Sequence, residues 1–127
     1  MQKSNKSRLV IIVSLLVAFF GWGGWAYFVN SSGYDPGTAL RSALAQAIYS
    51  TVMTLYMSFA VIFIQRRTRE WKFPVFWPPF FTVLHTAPIL ILVHVVNGTP
   101  NILKTVSLPI FVSIFYATVL TRAQTET

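Results

Sequence analysis

ALRSALAQAIYSTVMTLYMSFAVIFI, residues 39–64, decides the fold: it contains a single charge, Arg41, near its start. A helix needs about 20 predominantly apolar residues, at about 1.5 Å of rise each, to cross the hydrocarbon core of a bilayer. This stretch exceeds that length, and three more runs of comparable character surround it at residues 9–29, 73–96 and 102–120. Together they use almost all of the 127 residues and leave little for a soluble domain. The expected fold is an all-α membrane protein with four transmembrane helices. It forms one integral membrane domain over residues 1–127: a hairpin at about 9–64, a basic loop at 65–72 and a second hairpin at about 73–121.

Charge orients it. Lys3, Lys6 and Arg8 precede the first span, Arg66, Arg67, Arg69 and Lys72 separate the second from the third, and Arg122 follows the fourth. The other two connections hold only Arg41 and Lys104. Basic residues in short loops stay cytoplasmic, which predicts both termini inside and two outer hairpin turns. The net charge of +7 is accounted for by this bias and suits contact with anionic lipid headgroups. No folded domain or aromatic platform accompanies the basic loop, so nucleic acid is not an expected partner. The first apolar run continues through Phe19, Trp22, Trp25 and Phe28 without a small-x-small cleavage pattern, which predicts a retained helix. The compact size and short loops point to a bacterial inner membrane. On that reading Asn30-Ser31-Ser32 and Asn97-Gly98-Thr99 are polar turns, although each matches the glycosylation pattern.

The second and fourth spans carry matching stripes. Ser42, Gln46, Ser50, Thr54 and Ser58 recur every four residues, and so do Thr105, Pro109, Ser113, Ala117 and Thr121. A shift of 63 residues superposes the two series and sets Leu40-Arg41 on Leu103-Lys104. Each hairpin leaves its first helix through Val-Asn (Val29-Asn30, Val96-Asn97). Each enters the second through a capping residue and proline, Asp35-Pro36 and Thr99-Pro100. The pattern predicts two tandem hairpins of parallel orientation. Small and hydroxyl residues at this spacing let helices approach closely in lipid, where packing and hydrogen bonds drive association. The same stripe could instead line a weakly polar path for a substrate.

Chemistry-bearing residues are few. No Asp or Glu lies inside a span: Asp35 is in an outer turn, Glu70 in the basic loop and Glu126 in the tail. His85 is the ionisable side chain expected nearest the bilayer midplane, flanked by Thr82, Thr86 and a helix-breaking Pro88. His94 lies nine residues on, on the opposite side of the helix. Two histidines on opposite faces, no cysteine and no neighbouring carboxylate exclude an ordinary metal site, and no cofactor is expected. Arg41 and Lys104 are candidate headgroup-binding cations, with Asp35 as a competing partner for Arg41. Aromatics cluster at the span ends, with Trp22, Trp25, Tyr27 and Tyr34 at the outer interface and Trp71, Phe73, Phe76 and Trp77 at the inner. Gly21, Gly23 and Gly24 suggest close packing late in the first span.

The functional expectation is a non-enzymatic, transport-type or accessory subunit. It acts on a lipid or lipid-linked substrate or on a partner membrane protein, and associates with itself or with that larger partner. The competing readings are a structural assembly factor of a larger complex, and a membrane-embedded enzyme or proton relay built on His85.

Overall fold

The computed structural model describes the backbone over residues 2–125 and side chains from Arg8 to Thr125. The side chains of Lys3 and Lys6, and Glu126 altogether, lie outside the described residues. The elements are α1 (Gln2–Val17), a π-helical turn (Ala18–Trp22), α2 (Gly23–Ser31), α3 (Pro36–Thr68), α4 (Trp77–Asn97) and α5 (Ile102–Thr125), with no strand among the described residues. Four helices are long and apolar enough to cross a membrane: Arg8–Ser31, Pro36–Thr68, Trp77–Asn97 and Ile102–Thr125.

The packing is inverted relative to a water-soluble bundle. Among the described residues buried polar side chains are as numerous as buried apolar ones, and large apolar residues such as Phe20, Phe59, Phe111 and Phe115 face outward. In water this would be unstable. In lipid it is the economical arrangement, because the solvent is as apolar as leucine and hydroxyls gain by turning inward. α3 is central, packing against α1, α2, α4 and α5, and α4 also packs on α5. The connections at residues 32–35 and 98–101 meet at one end of the bundle, the two-turn end; the connection at 69–76 marks the other, the basic end.

Two boundaries differ from the sequence expectation. α3 runs on to Thr68, so Arg66 and Arg67 lie in its last turn rather than in a loop. Basic side chains there complement the negative end of the helix. At 33 residues α3 is about 50 Å long, more than the hydrocarbon core, so its ends project beyond it. The last span is not capped by Thr99-Pro100: α5 starts at Ile102, and the Asn101 carbonyl accepts from Thr105 N–H at 2.9 Å. Thr99 is instead drawn into the bundle by the turn before it. Gly98 adopts a left-handed conformation (φ 70°), with Gly98 N–H donating to the Val95 carbonyl and Thr99 N–H to the His94 carbonyl. These two bonds form a Schellman closure of α4.

Asp35 does cap α3. Its carboxylate accepts from Thr38 N–H at 3.0 Å and from the Thr38 hydroxyl at 2.6 Å, with Pro36 following at the first helical position. The Thr38 hydroxyl and N–H favour the ionised form and hold the Asp35 carboxyl below its ordinary value. A depressed carboxylate contributes stability that is present above the unfolded-state pKa and is lost as pH falls through the folded one. Carboxyl-carbon NMR titration should therefore place Asp35 below an exposed aspartate, and Thr38→Ala should move it back up.

The π turn absorbs a break in the buried seam of the first span. Ala18 and Gly23 are both buried although five residues apart, and Ala26 and Asn30 continue the seam. A five-residue step cannot stay on one face of a regular α-helix, but one π turn accommodates it.

Candidate functional site: a polar core flanked by two grooves

All three long helices turn a period-four row inward. On α3, Ser42, Gln46, Ser50 and Ser58 are buried and Thr54 half-buried; on α5, Thr105 and Thr121 are buried and Ser113 half-buried. The third row is on α4: Pro78, Thr82, Thr86, Leu90 and His94 are all buried. The α3 and α5 rows meet near mid-bundle, where Ser50, Thr54 and Ser113 line one cavity of about 40 Å³ together with Tyr49 and Thr86. That volume accommodates about one or two waters. Toward the basic end, Ser58 Oγ lies 2.9 Å from the Tyr116 hydroxyl, and Gln65 Nε2 donates to the Thr121 carbonyl at 3.3 Å. Many other hydroxyls bond back to the carbonyl four residues earlier, as Thr51, Thr86, Ser113 and Thr121 do, and so contribute little across helices. Thr82 Oγ1 is the single buried side-chain oxygen among the described residues with no hydrogen-bond partner.

At the two-turn end the rows part and each finds a turn residue. His94, fully buried, is the centre of one network: Nε2 pairs with Gln46 Oε1 and Nδ1 with Thr99 Oγ1 at 2.8 Å. A carbonyl oxygen only accepts, so Nε2 carries the proton and the Thr99 hydroxyl donates to Nδ1. Thr99 Oγ1 in turn accepts from Ser42 at 3.3 Å and from Asn97 Nδ2 at 3.1 Å, while Gln46 Nε2 donates to Ser50 at 2.7 Å. Asn30, also fully buried, is the centre of the other. It donates to Thr105 Oγ1 at 3.0 Å and accepts from Asn101 N–H at 3.0 Å, while Asn101 Nδ2 donates to the Val29 carbonyl at 3.1 Å. The two networks tie the turn at 98–101 to α3 and α4 through Thr99 and to α2 through Asn101.

His85 has a different setting from His94. It is half-buried, Nδ1 lies 2.6 Å from the Phe81 carbonyl, and Nε2 lies 3.0 Å from the hydroxyl of Tyr56, which is exposed on the lipid-facing side of α3. Nδ1 therefore donates along its own helix and Nε2 accepts from Tyr56. Among the described residues no carboxylate is bonded to it. Arg41 and Lys104 are exposed and stand apart; the only ion pair among the described residues is Arg69–Glu70 at 3.7 Å, so Arg41 does not pair with Asp35.

Two grooves open sideways along α5. At the basic end a cleft of about 770 Å³ runs between α4 and α5, walled by Phe73, Phe76, Phe80, Leu84 and Ile114, with Thr118 as its one hydroxyl. Lys72 Nζ stands 6.0 Å from the Phe73 ring centroid. At the two-turn end a groove of about 530 Å³ lies between α2 and α5, lined by Trp25, Phe28, Ser32, Tyr34, Asn101 and Lys104. Arg41 does not line it. The Trp25 indole N–H donates to the Lys104 carbonyl at 3.2 Å, fixing α2 against the start of α5.

Sequence reasoning placed the weight on His85 and missed His94, Thr99, Asn30 and Asn101 as polar partners. The signal for His94 was present as the period-four row of α4, the same pattern that was legible on α3 and α5. The signal for Thr99, Asn30 and Asn101 was absent, because the bonds Ser42–Thr99, Asn30–Asn101 and Asn30–Thr105 span 57 to 75 positions of sequence. No protein-family model, no curated protein and no solved structure matches this chain.

Proposed function

We propose that this protein is a non-enzymatic membrane subunit, transport-type or accessory, that holds a lipid or lipid-linked molecule in the grooves along α5. The observation that carries this reading is the cleft between α4 and α5, about 770 Å³ in volume, almost wholly apolar and open at the bundle surface. Its volume is in the range of ligand pockets, and its one hydroxyl, Thr118, is already bonded to the Ile114 carbonyl at 2.8 Å. The aromatic cluster of Trp71, Phe76, Trp77 and Phe80 at its mouth suits the interfacial layer, where such rings hold a helix end at a fixed depth. With eight of ten basic residues on the side of the termini and the α3–α4 connection, that mouth belongs to the cytoplasmic leaflet of a bacterial inner membrane. The 63-residue correspondence supports two tandem hairpins with both termini inside. The outward-facing apolar surface of a bundle this small also suits association with a second copy or a larger membrane partner.

Native mass spectrometry of protein extracted in mild detergent tests the reading. The expected result is a retained lipid, with Leu84→Trp, which narrows the cleft at an exposed position, lowering its occupancy severalfold at unchanged helicity. Absence of any retained lipid, together with no lipid movement in liposomes, would sink the proposal. A stoichiometric foreign chain in its place would favour an assembly factor.

A further inference from the structure

We infer that the groove at the two-turn end binds the phosphate of an anionic lipid headgroup, with Lys104 as its charge partner. This rests on the lipid-handling reading and adds a ligand class and a second position to it. The first argument is that Lys104 is a cation in an adverse place. It sits in the first turn of α5, where the helix dipole already presents positive partial charge, and no acidic residue accompanies it there. Of the carboxylates among the described residues, Asp35 is engaged by Thr38, and Glu70 pairs with Arg69 in the α3–α4 connection. Lys104 therefore has no counter-ion among the described residues, while the helix terminus beside it favours an incoming anion.

The second argument is the composition of the groove. Ser32 and Tyr34 carry hydroxyls that have no partner among the described residues, and Asn101 Nδ2 donates to the Val29 carbonyl. An ammonium and two hydroxyl-bearing side chains in the lining of one groove match the oxygens of a phosphate and its polar substituent. Phe28, Val29 and Trp25 supply the apolar wall that a free phosphate would not need and an acyl chain would. The wall is held in place: Trp25 is bonded to the Lys104 carbonyl, and Val29 and Asn30 to Asn101. The groove thus combines a cation, hydroxyls and hydrocarbon contact in one lining, the three features an anionic phospholipid needs.

The test uses the full chain in phosphatidylcholine nanodiscs, with phosphatidylglycerol as the probe and retained lipid read by native mass spectrometry. Wild type is expected to enrich phosphatidylglycerol about tenfold, as one charge-assisted contact implies. Lys104→Gln should abolish the enrichment, while Lys104→Arg and Arg41→Gln should keep it. If lipid is retained without a headgroup preference, or if the preference survives Lys104→Gln and is lost on replacing Arg66 and Arg67, the assignment is overturned and the lipid reading stands. If no lipid is retained at all, both fall.

Discussion

Replacing His94 with alanine is expected to destabilise the bundle by about 2–4 kcal/mol, the sum of two buried partners left unsatisfied at about 1–3 kcal/mol each, less relaxation. Gln46 Oε1 loses its only donor and the Thr99 hydroxyl loses its acceptor, both in a region where His94, Gln46 and Thr99 are nearly inaccessible. Water cannot readily replace them, and the vacated imidazole volume adds a void. The interaction itself is smaller than the cost of breaking it: a His94/Gln46 double-mutant cycle should yield about 1 kcal/mol, because helices in a membrane find alternative partners. His85→Ala serves as the internal contrast. His85 is half-buried, bonded along its own helix and to an exposed tyrosine, and its loss should cost less than about 1 kcal/mol. Reversible unfolding in mixed micelles, followed by tryptophan fluorescence, measures all four variants. Equal costs for His85→Ala and His94→Ala would refute the assignment of His94 as the centre of the core.

That contrast also shows how far the sequence could be read. The four spans were legible because length and hydropathy are local properties, and lipid leaves the backbone no alternative to helix. The α3 row was legible because serine and threonine stand out in an apolar helix at a fixed spacing. The α4 row obeys the same spacing but is written as Pro78, Thr82, Thr86, Leu90 and His94, so residue type hides what position reveals. His94 is also near the end of its helix, where an ionisable group is ordinarily assumed to reach the interface. The Schellman turn at Gly98 reverses that expectation by folding Thr99 back over the imidazole. Similarly, Thr99-Pro100 reads as the start of the next helix, yet the Thr99 hydroxyl is claimed by His94 and Asn97 of the helix before it. The π turn was hidden as well, because the five-residue step from Ala18 to Gly23 acquires meaning only when α3 is known to lie against both.

Gly23→Ala should weaken the bundle by about 1–3 kcal/mol, although alanine is the better helix former by about 1 kcal/mol. A Cβ on Gly23 would stand 3.0 Å from Ala47 Cβ and 3.3 Å from the Ala43 carbonyl oxygen. Neither neighbour can move aside: one is the whole of a short side chain, the other backbone in the middle of α3. The helices must therefore separate, and with them Ala26, Ala39 and Ala47, all buried at or near the same contact. Gly24 is the control, since a Cβ there meets nothing within 4 Å, and Gly24→Ala should be neutral or slightly stabilising. Ala47→Gly should rescue only part of the Gly23→Ala defect, because the Ala43 carbonyl remains. The consequence reaches the groove through Trp25 and Asn30, which follow Gly23 on α2 and hold α5 through Lys104 and Thr105. Gly23→Ala is accordingly expected to lower retention of anionic lipid along with stability, whereas Lys104→Gln lowers retention alone. If the two glycine variants behave alike, close approach of α2 to α3 is not what positions the groove, and the coupling between core and lipid site fails with it.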